Sequence, residues 1–436
     1  MSNISSDVVA DRPTSTSPAA SQAIVRCHAL ATHSDVSGQI TRPYLSAATK
    51  TAHRDLAWWM RDAGLTVRTD AVGNLIGRLA SPAADAPTLM IGSHLDTVPN
   101  AGPFDGVLGV MIGLAVAESL IGSDPLPFHV DVVGLSEEEG VRFALPYLGS
   151  AALGGRFDPA WLRRVDADKI SIRQAIKTFG LDPDNIAGAA VDRSDVVAFI
   201  EPHIEQGPVL MRRDCPLGVV TAIAGQSRRI VRFIGDPGHA GTTPMVGRRD
   251  ALVTAARWIP GVADAAAAVE GLRATTGFIN ARPNVRNVIP GQVDVSIEVR
   301  HAENSVRTRW MDRFCDDAKS IGRDASVEVQ TMDHQEQPAA IMDVHLTEQL
   351  AESISQTGPP PHRMVSGAGH DAVVLSKPFR TTMMFIRQRD GGISHHPDEN
   401  VDADDVGHAI DALVHLVKHL GQQNNRSAVC KHSDQS

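Results

Sequence analysis

At 436 residues the chain is long enough for two or three domains. Its composition, 42% hydrophobic and 21% charged, is that of a globular protein and excludes collagen, coiled-coil arrays and wholesale disorder. A net charge of −10 and only 4% aromatic residues argue against the basic face and stacking surfaces of a nucleic-acid binder.

Residues 1–22 are rich in Ser, Ala, Thr and Asp, with neither a basic start nor an apolar stretch, and read as a disordered arm and not a secretory signal. Residues 23–65 read as helical, ending at Gly64. A hairpin over residues 66–79 is expected to turn at Gly73-Asn74. Four short apolar runs follow among helical patterns, at residues 88–91, 128–133, 196–200 and 382–386. Strands alternating with helices predict an α/β catalytic domain on a mostly parallel sheet, assembled from residues 23–217 and 333–421. Residues 218–332 have another texture, strand, helix, strand, strand, helix, strand, as in an inserted α+β sandwich. A closing helix over 404–420 and a flexible tail, 422–436, complete the reading. The four cysteines, Cys27, Cys215, Cys315 and Cys430, show no C-x-x-C spacing. No apolar stretch approaches the ~20 residues of a membrane helix. A soluble, cytoplasmic protein without a membrane or nucleic-acid partner is expected.

Chemistry concentrates after the four apolar runs. Ile91 is followed by Gly92-Ser-His94-Leu-Asp96, Val133 by Glu137-Glu138-Glu139, Ile200 by Glu201-Pro-His203-Ile-Glu205-Gln206, and Ile386, nine residues later, by His395-His396. Each signal alone is ordinary. The chain has 18 histidines, a glutamate triplet is usually a solvated face, and Phe104-Asp105-Gly106 is a common turn. Their coincidence at strand ends, where open α/β sheets bind ligands, points to one metal site. Imidazole and carboxylate without thiolate suit Zn²⁺, Mn²⁺, Co²⁺ or Ni²⁺. Adjacent glutamates allow one to ligate while its neighbour accepts a proton.

These motifs resemble the dinuclear-metal peptidase family M20. Gly238-His239-Ala-Gly-Thr-Thr-Pro-Met, Asn287-Val-Ile-Pro-Gly, Ser366-Gly-Ala-Gly-His-Asp-Ala and Gly392-Ile-Ser-His395 narrow the likeness to the branch of allantoate amidohydrolase, N-carbamoyl-L-amino acid hydrolase (hydantoinase/carbamoylase) and β-ureidopropionase. The resemblance runs from about residue 24 to 420. It implies one ion held by His94, Asp105 and His203 and a second by Asp105, Glu139 and His395, with Asp105 bridging. It implies Glu138 as general base, Asp96 as support for His94, and His239 as donor to the oxyanion. Gln206, Asn287 and Arg300 match residues holding a substrate carboxylate. In the family His239, Asn287 and Arg300 come from the partner subunit, which implies a homodimer whose inserted lid domain completes the partner's site.

M20 peptidases usually place a carboxylate where this chain has His203, which favours carbamoyl hydrolysis over peptide or acyl-amino-acid cleavage. Glu298 stands where the family often has Asp, and His396 where Asn or Ser is common. The stretch from Gly140 to Ala152 resembles the allantoate enzymes more than the carbamoylases. The implied activity is metal-dependent hydrolysis of a ureido C–N bond in a small carboxylate, allantoate first, with N-carbamoyl-L-amino acids or a β-ureido acid as alternatives.

Overall fold

The computed structural model describes residues 17–433. Two compact units are present. Among the described residues the larger comprises 17–220, 343–363 and 374–433, and the smaller 221–342 and 364–373. The smaller unit thus extends to Met342 where the sequence suggested 332, and it also takes Met364–Val373. The cause of the first difference is local. The last strand of the smaller unit, Glu328–Gln337, continues through Asp333, with a register shift between Met332 and Gln335.

In the larger unit the strands lie in the order Thr66–Thr69, Leu75–Leu79, His129–Leu135, Thr88–His94, Val196–Ile204, Thr381–Ile386, Leu217–Ile223. The middle four run parallel. The flanking pairings are antiparallel, so the sheet is mixed where a mostly parallel one was expected. The short turn at Gly73 forces this at one edge. Asp70 Oδ1 accepts the N–H groups of Val72 and Asn74, and a connection that tight can only reverse the chain. The middle strands Thr88–His94 and His129–Leu135 are buried along their full length, as parallel strands covered on both faces require.

Helix Val107–Leu120 covers this part of the sheet. It is buried on every side for its first eleven residues, which explains an apolar run without helical periodicity. Each fully buried Leu, Ile or Val there contributes about 1.5–3 kcal/mol.

The N-terminal region differs from the single long helix expected. Helix Pro18–Ala31 is followed by a break, and Ala47–Asp62 forms a second helix whose N-cap, Ser46, accepts the N–H of Thr49. Pro43 and the turn-forming Ser34–Gly38 region separate the two. The arm assigned to residues 1–22 lies outside the described residues as far as residue 16. Residues 18–22 are helical, because Pro18 is preorganised for a first helical position and Ala20, Ala23, Cys27 and Leu30 enter the core in one stripe. The last helix, Ala403–Ser433, likewise runs through most of the tail assigned to 422–436, and residues 434–436 lie outside the described residues. Gly421 is a weak breaker alone, and no proline follows it.

The smaller unit is a two-layer α+β structure. Its antiparallel sheet has the order Ile279–Arg282, Gln292–His301, Gly225–Ile234, Glu328–Gln337. Helices Ala251–Ala267 and Asn304–Asp324 bury Trp258, Met311 and Phe314 against Val231, Phe233 and the inward residues of Gln292–His301. Among the described residues no helix is long and apolar enough to cross a membrane.

His53, on helix Ala47–Asp62, packs edge-on against Phe179, with ring centroids 5.8 Å apart, and is 6% exposed. Burial lowers its pKa from 6.5 to about 4. Below pH 6.5 the unfolded chain therefore takes up a proton that the folded chain refuses, so stability falls as pH falls from 6.5 towards 4. This one group should remove about 2 kcal/mol between pH 7.5 and 5.0. Urea unfolding at both pH values should show that difference shrinking in His53→Gln. An unchanged pH dependence would assign the acid sensitivity elsewhere.

Candidate metal centre

Parallel pairing sets the site's geometry. Ile91 pairs with Ile200, and three residues further along each strand stand His94 and His203, their ring centroids 5.7 Å apart. Both are 1% exposed. His94 Nδ1 donates to the carbonyl of Asp96 at 3.0 Å and His203 Nδ1 to that of Ile204 at 2.9 Å. Each ring therefore turns its Nε2 towards Asp105, with separations from Oδ1 of 3.7 Å for His94 and 3.1 Å for His203. Main-chain acceptors on the far nitrogen are what orient imidazoles as metal ligands.

Asp105 lies just before helix Val107–Leu120 and is 3% exposed. The helix N-terminus favours its negative charge. Gly106 makes this junction feasible. Its φ is +68°, and a Cβ there would sit 2.5 Å from the His94 ring. The other carboxylate oxygen of Asp105 faces His395 Nε2 at 3.1 Å. His395 also reaches Glu139 Oε1 at 3.5 Å.

Three groups of donors result, each with ligand atoms within 4.8 Å of one another: His94, Asp105 and His203; Asp105, Glu139 and His395; and His94, Glu138 and Glu139. The first two are the groups the sequence suggested. The donor set of imidazoles and carboxylates, two rings of which are pinned by carbonyls, fits divalent ions such as Zn²⁺ or Mn²⁺.

The protonation pattern agrees with a place for positive charge. Burial raises Asp105, but contacts with His203, His395 and His94 outweigh it and hold the carboxyl well below the usual carboxylate range. Burial lowers His94, yet Asp105 and the Glu138 and Asp96 charges carry it well above an ordinary histidine, and His203 is raised similarly by Asp105. Contact with Asp105 raises His395 to about 9, and burial pushes Glu139 to about 7. These shifts favour the protonated imidazoles, and cations compete for the same nitrogens.

Asp96 supports more than His94. Its carboxylate accepts the N–H groups of Glu138 and Glu139, each at 3.1 Å, while its carboxylate Oδ1 stays 3.7 Å from His94 Nδ1. Gln206 joins the cluster too, its Nε2 donating to Asp105 Oδ2 and to Ser394 Oγ, both at 3.1 Å.

His239, Asn287 and Arg300 belong to the smaller unit. A two-residue ladder pairs His239 with Val288, and the N–H of Ala240 donates to the carbonyl of Asn287, so these two motifs lie side by side. His239 Nδ1 accepts the N–H groups of Gly241 and Thr242 at 3.1 and 3.2 Å. That network assigns the ring proton to Nε2 and makes it a donor. Arg300 stands apart from this ladder, its Nε on Glu298 Oε1 at 2.6 Å and its Nη1 on the carbonyl of Gly367 at 2.5 Å. His396 is exposed, and its Nδ1 accepts the N–H of Asp398.

Two acids escaped the sequence reading. Glu399, 5% exposed, accepts N–H groups of Phe104, Asp105 and His395. Glu137, fully buried at φ +55°, accepts those of Arg142 and Phe143, and burial pushes it to about 8. The only signal for Glu399 was its place four residues after His395, and Glu137 was hidden in a triplet that usually means solvent.

Residues 90–419 match the model of the peptidase family M20/M25/M40. An N-carbamoyl-L-amino acid amidohydrolase from Geobacillus stearothermophilus is 37% identical over 388 residues, 88% of this chain and 94% of that protein. A probable allantoate deiminase from Oryza sativa subsp. japonica is 34% identical over 91% of this chain and 87% of its own length. The crystal structure of a hydantoinase/carbamoylase family amidase from Burkholderia ambifaria has a TM-score of 0.85 at 32% identity, covering 92% of this chain and 97% of that one.

Gly106→Ala tests how tightly the centre is packed. Gly122 has a similar φ of +77° but nothing within 4 Å of an added Cβ. Gly122→Ala should cost about 1 kcal/mol from backbone strain alone. Gly106→Ala should cost more in urea unfolding and should also lower metal content, since His94 must move. Equal costs and full metal content would deny the close fit.

Proposed function

The chain belongs to peptidase family M20/M25/M40, and from that premise we propose that this C–N-cleaving amidohydrolase removes the carbamoyl group of a small ureido carboxylate, allantoate first. The observation that carries the reading is His203, a buried imidazole grouped with His94 and Asp105 at a position where M20 peptidases usually have a carboxylate. The relatives named as acting on N-carbamoyl-L-amino acids and on allantoate support the ureido class. The likeness of residues 140–152 to the allantoate enzymes favours allantoate as the first substrate. A second reading, N-carbamoyl-L-amino acid hydrolysis, has the 37% identity of the Geobacillus enzyme in its favour.

His94, Asp105 and His203 would hold one divalent ion and Asp105, Glu139 and His395 the other, with Zn²⁺ or Mn²⁺ as first candidates and Co²⁺ or Ni²⁺ as further ones. Bound ions of this kind lower the pKa of water and polarise the carbonyl to be attacked. Glu138, whose main chain is anchored on Asp96, takes the proton of the attacking water and returns it to the leaving nitrogen. His239, a donor at Nε2, hydrogen-bonds the oxygen on which charge develops. Gln206, Asn287 and Arg300 hold the substrate carboxylate, Arg300 with the guanidinium N–H groups not engaged by Glu298 and the Gly367 carbonyl. One water is consumed, carbon dioxide and ammonia leave, and ureidoglycine remains when allantoate is the substrate.

We further propose a homodimer in the cytoplasm, in which the smaller unit acts as lid and pairing domain and lends His239, Asn287 and Arg300 to the partner's site. Free thiols at Cys27, Cys215 and Cys315 suit a reducing compartment.

Ammonia release from allantoate and from a panel of N-carbamoyl-L-amino acids, before and after chelation and metal return, tests the reaction and substrate. Allantoate should be preferred, and chelation should abolish turnover. Glu138→Gln should lose ~10²–10⁴ in rate at full metal content, whereas Glu139→Gln should lose metal. Identical behaviour of the two would refute their separate roles. Mixing inactive His239→Ala with inactive Glu138→Gln should restore activity, because a mixed dimer has one intact site. No recovery after verified subunit exchange would place the whole site in one chain.

A further inference from the structure

Two of the five candidate ligands are held by their own strands. His94 and His203 donate to carbonyls one or two residues away. His395 has no such strand. It lies in a loop, at φ +57°, a left-handed conformation unusual for a residue with a side chain. Asp105 also lies in a connecting segment, ahead of its helix. Nothing in the sheet's ladder fixes one of these loops against the other.

Glu399 does so. Its Oε2 accepts the N–H groups of Phe104 at 3.1 Å and Asp105 at 3.2 Å. Its Oε1 accepts the N–H of His395 at 3.1 Å. A single buried carboxylate therefore ties the main chain of His395, beside it in the loop, to that of Asp105, 294 residues before Glu399 in sequence. The N–H of Glu399 donates to the carbonyl of His396 at 3.1 Å, which closes the turn that carries His395. Ser394 adds a third tie, donating to Asp105 Oδ2 at 3.1 Å. The segment ahead of Asp105 is shaped around this acid. A Cβ on Gly102 would fall 2.3–2.5 Å from the Glu399 side chain, so only glycine lets the two approach.

We propose that Glu399 is a positioning residue that sets the Asp105 and His395 main chains at the spacing the second ion requires. The proposal rests on the two-ion reading above. It is asymmetric. The group of His94, Asp105 and His203 shares Asp105 but has both imidazoles on ladder strands and so loses less, whereas the group of Asp105, Glu139 and His395 has two ligand segments tied by the bridge. It also explains why a carboxylate is needed. Three N–H donors converge on two oxygens, and an amide would turn its NH₂ against one of them. Aspartate, shorter by one methylene, would reach only one loop.

Equilibrium dialysis of the chelator-stripped full chain against graded free Zn²⁺, with bound metal measured by elemental analysis, tests this. Wild type should load two ions. His395→Ala, which lacks a ligand of the second site, should show one step and so identify the first. Glu399→Gln should keep that first step within about threefold and weaken the second at least tenfold, the scale on which partners behind metal ligands act. Circular dichroism and the thermal midpoint report whether it is folded. Glu399→Asp should show the same asymmetric loss and serves if the amide variant does not fold. Two unchanged steps in a folded Glu399 variant would overturn the proposal and leave the two-ion reading standing. Equal weakening of both steps would also overturn it, since that marks a general packing role. A single step in wild type would overturn the two-ion reading itself and this proposal with it.

Discussion

The larger unit is organised around one buried anion. Asp105 has both carboxylate oxygens inside the protein, a costly arrangement unless positive or donor groups surround them. Nearly every element that reaches it answers that need. Helix Val107–Leu120 begins beside it, His94 and His203 face one oxygen, and His395, Gln206 and Ser394 face the other. A carboxylate approached by imidazoles on two sides is the arrangement in which one side chain can serve two cations at once.

Holding such a hub takes rigidity that loops alone do not provide. The parallel ladder supplies it for His94 and His203, because equal steps along paired strands bring both rings to the same depth. The helix behind Asp105 supplies it for the bridge. Its buried length ties the position of one carboxylate to the core formed with residues such as Ile91 and Val132. A volume change in that core moves the bridge as well as costing packing energy.

Much of this was legible in the sequence, for a physical reason. A parallel strand has two informative ends, and its C-terminal end faces the ligand side, so His94, Glu139 and His203 could be assigned to one place from the runs before them. His395 was the least direct of the four, since eight residues separate it from Ile386, and its pairing with Asp105 and Glu139 came only from the family resemblance. The pairing direction of the outer strands was less legible. A hairpin edge and a parallel centre both read as short apolar runs, and only the turn at Gly73 tells them apart. The first turn of helix Pro18–Ala31, residues 18–22, was masked by composition. Its buried face opens with alanines, which a reading of polarity takes for an arm although they are small enough to pack closely. Glu399 was invisible because its partners are main-chain N–H groups, which every residue has and no motif records.

The glutamate triplet shows how far local sequence and local environment can part. Three consecutive acids at the end of a strand usually mean solvent, since their mutual repulsion is least there. Here Glu137 takes a left-handed backbone, which turns the chain as the strand ends. Its side chain goes inward to the N–H groups of Arg142 and Phe143 and closes the loop behind it. Asp96 holds the next two main chains by one oxygen each, which fixes Glu138 and Glu139 side by side beneath the same carboxylate. From that shared anchor Glu139 comes within 3.5 Å of His395. Glu138 remains 7% exposed and charges the His94 side of the centre. Three like residues thus acquire three environments from one backbone turn and one neighbouring carboxylate. Neighbours in sequence can divide the work of ligand and proton acceptor only when the main chain, not the side-chain chemistry, distinguishes them.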